Sequence, residues 1–347
     1  MNRSNMKSPF RQLLLATFAV GASAVCIASA QAQTLEAIKA RGELICGVSQ
    51  GLTGFSASDS KGEWSGFDVD YCRALAAAIF NDPKKVRFVG LNAAERFEAL
   101  RSSKIDVLMR NSTWTMGRET ELGLIFAGIN YHDGQGFLVS RKRNITSALE
   151  LTGSKVCVQD GTTSEANAVD FFRANDIKYE LVIAKTLEEL GNNYDSGKCD
   201  ALSSDVSQLY SERLSYKQPD DHTILPDVIS KEPLGPVVRA TDVKWFTIVK
   251  WVNFALINAE ELGVTSKNIE EAKASKKPDV RRLIGAEGKF GEQMGLDNAW
   301  ALNAVRAVGN YGEIFERNVG TETKLGIPRG INQLWSMGGI LYAPPIR

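Results

Sequence analysis

The sequence predicts a two-lobed α/β protein with two hinge crossings between its lobes and a helical C-terminal extension on the first lobe. Three observations predict it. Strand-like and helix-like segments alternate as βαβαβ from Glu43 to Met109, the same alternation restarts at Lys155, and extended segments at 134–139 and 233–238 flank the second run. A βαβαβ order implies a parallel sheet with helices on both faces. Two such units of about 100 residues each are the signature of two lobes.

The elements follow in order. Glu43–Val48 reads as a buried strand, and Asp68–Phe80 as a helix with Val69, Cys72, Ala76 and Ile79 on one face. Val86–Val89 is a second strand, Ala93–Ser102 a second helix with Phe97 and Leu100 inward, and Asp106–Met109 a third strand. The second run reads as strand Lys155–Val158, helix Thr163–Ala174, strand Glu180–Ile183, helix Thr186–Ser196, strand Cys199–Ser203 and helix Asp205–Ser215. The crossings are Gly134–Val139 and Pro233–Val238, and the long helix Val243–Glu261 returns to the first lobe. The tail from Thr265 is helical in pattern around Asn298–Phe315 and ends in a Gly- and Pro-rich coil. The expected division is a leader at 1–32, lobe one at 33–136 and 236–347, and lobe two at 137–235. Two extended connections can absorb a rigid-body closure.

The leader carries Arg3, Lys7 and Arg11, an apolar run from Leu13 to Ile27, and Ala30-Gln31-Ala32 as a small-x-small cleavage pattern. That is the plan of a secretory signal peptide, and the run falls short of the roughly 20 residues of a membrane span. Val25 is bulky where lipidation of Cys26 calls for a small residue. The 41 Lys and Arg lose three with the leader and face 41 Asp and Glu. A balance of about −3 offers no electrostatic footprint for nucleic acid or anionic lipid. Four cysteines remain, Cys46, Cys72, Cys157 and Cys199, and allow three pairings in an oxidising compartment. Cys157–Cys199 is favoured because both lie on strand-like runs of one lobe, with Cys46–Cys72 as its companion; four buried thiols are the alternative. No metal-ligand spacing occurs, and nothing calls for a cofactor.

Ligands of parallel α/β sheets bind beyond the carboxyl ends of strands, where helix N-termini present backbone donors. Four segments lie there: Ser49–Phe55, Arg110–Arg118, Gln159–Glu165 and Ser204-Asp205. Together they match a zwitterion. Arg118, Asn111, Thr113 and the Thr162-Thr163 helix start can meet a carboxylate through a guanidinium fork, hydroxyls and amides. Asp205, on the opposite lobe, can meet an ammonium, and Phe55 or Leu52 can supply an apolar contact. Taken singly each has a plainer account: Arg118 as a solvated charge, Asp205 and Thr162-Thr163 as helix caps, Phe55 as core.

The run Gly62-Glu63-Trp64-Ser65-Gly66-Phe67-Asp68-Val69-Asp70 is similar to the G-x-x-x-G-F-D-x-D signature of the family 3 periplasmic solute-binding proteins of ABC transporters. Lys104–Val107, Thr113–Arg118, Asp160–Glu165 and Asp200–Asp205 continue the resemblance from about Leu35 to about Lys250. The long tail and Gln50-Gly51-Leu52 resemble the subgroup of general L-amino-acid binding proteins. The resemblance implies a type II periplasmic-binding-protein fold, a monomer in the periplasm, a free L-amino acid as ligand and an inner-membrane ABC permease as partner. It implies Arg118 on the ligand α-carboxylate with Thr113 and Thr163, Asp205 on the α-ammonium, and Asn111 where a serine is usual. Leu52 replaces an aromatic residue that stacks on the side chain in many relatives, which speaks against narrow cationic specificity. Arg110 replaces a small residue and suits an acidic or amide side chain.

Broad L-amino-acid capture is therefore the leading expectation, and a narrower glutamate, aspartate or glutamine receptor the second. A dehydratase on the same fold is the third. Catalysis needs a positioned acid or base, and His132 and His222 have no partner in these motifs.

Overall fold

A computed structural model describes residues 34–347. The leader, its cleavage pattern and Cys26 lie outside the described residues. No helix among the described residues is long and apolar enough to cross a membrane.

Two five-stranded sheets organise the chain. In the first, Val86–Leu91, Leu44–Ser49 and Val107–Leu108 run parallel, and Val237–Arg239 then inserts antiparallel between Val107–Leu108 and Leu124–Phe126. In the second, Tyr179–Ala184, Ser154–Gln159 and Ala201–Asp205 are parallel, followed by Gln135–Ser140 and His222–Ile224, each antiparallel to its neighbour. The parallel cores match expectation, and their central strands are buried because helices cover both faces; Leu44–Ser49 is buried at every position, whereas the outer strands Val86–Leu91 and Tyr179–Ala184 are partly exposed. The antiparallel strands are a correction to the all-parallel reading. In the first sheet the antiparallel strand is the one formed when the chain, having left after 124–126, returns at 237–239; in the second it is the entering strand Gln135–Ser140 that runs against its neighbours.

The crossings also sit slightly earlier than expected. Tyr131–Asp133 pairs antiparallel with Glu232–Leu234 in a two-stranded ribbon, with Asp133 directly opposite Glu232. Gln135–Ser140 already belongs to the second sheet. The strand placed at Cys199 begins at Ala201 and runs through Asp205.

Local chemistry sets the element ends. The Phe67–Phe80 helix starts after Gly66, whose φ of 133° suits glycine and where a Cβ would stand 2.2 Å from the Phe55 carbonyl oxygen. It ends at Asn81 in the left-handed region, φ 55°. Asn310 and Glu313 form a reciprocal capping box at the start of the Tyr311–Asn318 helix. Cys46–Cys72 and Cys157–Cys199 are the disulfides, with Cα separations of 6.1 and 5.7 Å.

The Val243–Glu261 helix has its expected bounds and shares the core of the first sheet through Trp245, Ile248, Val252 and Leu256. The Trp245 indole donates to the Asp106 carbonyl at 2.9 Å. The tail packs on the same side, with Trp300, Val305, Tyr311 and Phe315 in that core. Its pattern at 298–315 resolves into two helices, Trp300–Val308 and Tyr311–Asn318, broken at Gly309. Buried Asp70 accepts from Arg317 at 2.6 Å and Asn318 at 2.7 Å. Arg329 binds both Glu260 oxygens at 3.0 and 3.1 Å while lying over the Tyr311 and Phe315 rings. Both ion pairs tie the tail to the body.

Candidate ligand-binding cleft

The carboxyl ends of strands from both sheets converge. Arg110, Asn111, Thr113 and Arg118 come from the segment after Val107–Leu108. Gln159, Thr162, Thr163 and Ser164 follow Ser154–Gln159, and Ser204, Asp205 and Gln208 close the set, with Arg96 at the start of the Arg96–Arg101 helix. The free space among them is about 10 Å³, so the walls must part to admit a ligand.

One side is cationic. Arg118 is mostly buried, donates to the Thr113 carbonyl at 2.6 Å and lies 5.0 Å from the centre of the Phe97 ring. Arg96, 2% exposed, lies 4.7 Å from the same ring and donates to the Gly161 carbonyl at 3.3 Å. The Arg110 Nε donates to the Leu91 carbonyl at 3.0 Å. Burial lowers all three guanidinium pKa values, Arg110 to about 10, and the neighbouring cations Arg110 and Arg118 depress Arg96 further. An anion placed among them would relieve both penalties. Gly161 lets the backbones meet: its φ is +71°, and a Cβ there would lie 3.1 Å from Ala94 backbone atoms.

The other side is acidic. Asp205 stands at the N-cap position of the Val206–Ser215 helix, yet its side chain caps nothing. The carboxylate of Asp133 accepts from Ser207 N instead, at 3.3 Å, which leaves Asp205 free. Burial, with the charges of Asp133 and Glu232, pushes the Asp205 carboxyl well above the usual range. An ammonium there would reverse that shift.

Unmet hydrogen-bonding capacity lines the same walls. Arg96 Nε, Asn111 Oδ1, Gln159 Nε2 and Gln208 Nε2 are buried without a partner, a costly state unless a ligand completes it. Thr113 and Thr163 donate to Glu232 Oε2 at 2.5 and 2.9 Å. Glu232 is 1% exposed and also accepts from Ser230 and Asn167. A side-chain carboxylate thus occupies the hydroxyls that sequence reasoning assigned to a ligand carboxylate. Thr162 turns inward, donating to the Gln159 carbonyl at 2.6 Å and accepting from Ser164 N at 3.2 Å.

Arg118, Asp205, Thr113, Thr163, Thr162, Asn111 and Arg110 are therefore brought together. Phe55 is not: it is buried in an aromatic cluster against Phe67 and Tyr131, with ring centres 6.1 and 5.4 Å away. Leu52 is likewise 1% exposed and in the core of the first sheet. The loop after the first strand turns both apolar side chains inward to bury them. Gln50 is exposed and lines a neighbouring groove. Arg96, Gln208 and Glu232 were missed. Arg96 follows a strand as the strand-end rule requires, and Gln208 lies one helical turn beyond Asp205, so both had a signal; Glu232, inside a crossing, had none. His222 bonds to the Tyr194 hydroxyl at 2.9 Å and His132 lies on the crossing ribbon; neither lines the cleft.

Residues 44–267 match the bacterial extracellular solute-binding proteins, family 3. The chain belongs to that family. It is 52% identical over 334 residues to the general L-amino acid-binding periplasmic protein AapJ of Rhizobium johnstonii, covering 96% of both chains. It is 49% identical over 329 residues to the glutamate/glutamine/aspartate/asparagine-binding protein BztA of Rhodobacter capsulatus, covering 94% of this chain and 97% of the relative. Among solved structures, a periplasmic binding protein of an ABC transporter from Brucella ovis, with glutathione bound, superposes with a TM-score of 0.90 at 55% identity. That match covers 91% of this chain and all of the other. The fold is thus the type II periplasmic-binding-protein fold, with its two sheets and two crossings.

Proposed function

We propose that this family 3 protein is a monomeric periplasmic receptor that captures free L-amino acids of varied side chain and passes them to an inner-membrane ABC permease. The ligand α-carboxylate goes to Arg118, with Arg96 and Arg110 behind it, and the α-ammonium goes to Asp205. The observation that carries this reading is the pairing of two buried guanidiniums and the partly buried Arg118 with one free buried carboxylate, surrounded by orphaned polar atoms. The names of AapJ and BztA point to the same ligand class. The lobes divide at the ribbon of 131–133 and 232–234, with residues 34–130 and 237–347 in one and 135–230 in the other; the ligand closes them by binding the closed arrangement better than the open one. The ligand leaves unchanged, because capture uses these groups only as fixed charges and donors.

Arg118→Ala should weaken amino-acid binding by about 2–5 kcal/mol, since it strands a buried carboxylate. Calorimetry across a panel of amino acids checks this, and an unchanged affinity would remove Arg118 from the site. Arg110 in the cleft, with the four amino acids that BztA is named for, favours a second reading in which acidic and amide side chains bind best. Strong binding of glutamate and glutamine alone in the same panel would select that reading; glutathione belongs in the panel because of the Brucella ovis relative.

A further inference from the structure

The Val206–Ser215 helix begins at Asp205 and leads away from the candidate cleft. Gln208, one turn along, still lines the cleft; Ser211, Glu212 and Ser215 line a second depression of about 490 Å³. Residues 205, 208, 212 and 215 share one helical face. The opposite wall of the groove is Gln50, Gly51 and Thr53, from the loop after the first strand. The groove is therefore bounded by elements of both sheets, as the cleft is.

Glu212 is the unexplained residue there. It is 9% exposed, and among the described residues its carboxylate has no hydrogen bond and no ion pair. Its Oε2 rests against Gly191, where a Cβ would come within 3.3 Å, so the glycine leaves the carboxylate its place on the groove wall. Tyr216, beside it, lines the same groove and has a buried hydroxyl with no partner. Exposed Glu188 and Asp195 add negative charge at the rim. Burial alone raises the Glu212 carboxyl to about 7. The nearby Arg213 guanidinium lies over the Tyr210 ring and does not form a salt bridge to it. A buried acid with no partner, on the wall of a polar groove, fits a cation that arrives with a ligand.

We propose that this groove is the side-chain compartment for cationic ligands, in which Glu212 receives the terminal ammonium or guanidinium of a lysine- or arginine-like amino acid. The assignment rests on the reading above, with the α-groups held at Arg118 and Asp205. Dimensions agree. Seven helical residues separate Asp205 from Glu212 by on the order of 10 Å. The six bonds from α- to ε-nitrogen of lysine span about 7 Å, as two extended residues do, and a hydrogen bond adds about 3 Å at each end. Gln208 lines the cleft and Ser211 the groove, one on each side of the helical turn between Asp205 and Glu212. Leu52, in place of a stacking aromatic residue, speaks against narrow cationic specificity; the acid that reads the cation is contributed by the other wall.

Titration calorimetry of L-lysine, L-arginine and L-glutamine with wild type, Glu212→Gln, Thr53→Lys and Arg118→Ala tests this. Glu212→Gln should weaken lysine and arginine by about tenfold or more and leave glutamine within about threefold. Thr53→Lys, on the exposed opposite wall, puts a cation into the groove without touching the core and should discriminate in the same direction. The compartment is overturned if lysine and glutamine weaken together in both variants, if neither variant changes their ratio, or if wild type binds glutamine but no cationic ligand. Arg118→Ala separates the two levels. Loss of glutamine binding there, with an indifferent Glu212→Gln, sinks the compartment alone. Retained glutamine binding sinks the cleft reading and the compartment with it.

Discussion

At Asp205 the decisive fact is what the carboxylate does not do. It sits where a helix cap would sit, while Asp133 takes the Ser207 amide. Burial and the charges of Asp133 and Glu232 raise its pKa, with Arg118 and Arg96 opposing. A ligand ammonium favours the ionised form, so binding lowers that raised value and releases a proton. Affinity should therefore rise with pH until Asp205 is ionised in the free protein, and below that each pH unit costs about tenfold, or about 1.4 kcal/mol. Calorimetry in buffers of different ionisation enthalpy reads the released proton; Asp205→Asn should abolish most of it and weaken binding. Heats independent of buffer would show that Asp205 is already ionised and the sign argument wrong. At this scale much was legible. Arg118, Thr113 and Asp205 follow from strand ends and charge alone. The inward turn of Leu52 and Phe55 was not, because local spacing cannot tell a loop side chain that faces a ligand from one that completes a core.

Among elements, the crossing ribbon and the tail meet. Asn332 accepts from His132 N at 2.7 Å and donates to the His132 carbonyl at 2.9 Å, so a tail side chain pairs with one strand of the crossing ribbon. Asn332→Ala should leave amides 131–133 less protected in hydrogen exchange while the Leu44–Ser49 strand is unchanged; equal protection would make the tail a bystander at the crossing. The disulfides act on larger pieces. Cys46–Cys72 and Cys157–Cys199 span 26 and 42 residues, and loop closure assigns each about 3–4 kcal/mol. Paired alanine substitution of Cys157 and Cys199 should lower the denaturant midpoint accordingly, and an unchanged midpoint would mean that the bond constrains nothing. The parallel strands and long helices were legible because their apolar periods repeat over many residues. Strands of three residues, such as Leu124–Phe126 and His222–Ile224, carry no period, and their partners lie far along the chain, so no local pattern marks them.

For the whole molecule, the two sheets present strand ends to one another, and the free space between them is smaller than any amino acid. On the proposed reading, capture would need the sheets to separate and close about the ribbon of 131–133 and 232–234, and Glu232 would release Thr113 and Thr163 to the ligand carboxylate. Two-lobed organisation was readable from two βαβαβ runs and two extended segments. How fully the walls interlock was not, since it depends on side chains from strand ends distant in sequence meeting in space. The structure of the mature chain crystallised with L-glutamine tests the central claim most directly. The amino acid should lie between the lobes, its carboxylate on Arg118 and its ammonium on Asp205, with Thr113 and Thr163 turned from Glu232 to the ligand. A ligand bound elsewhere, or bound between the lobes without contact to Arg118 and Asp205, would contradict it.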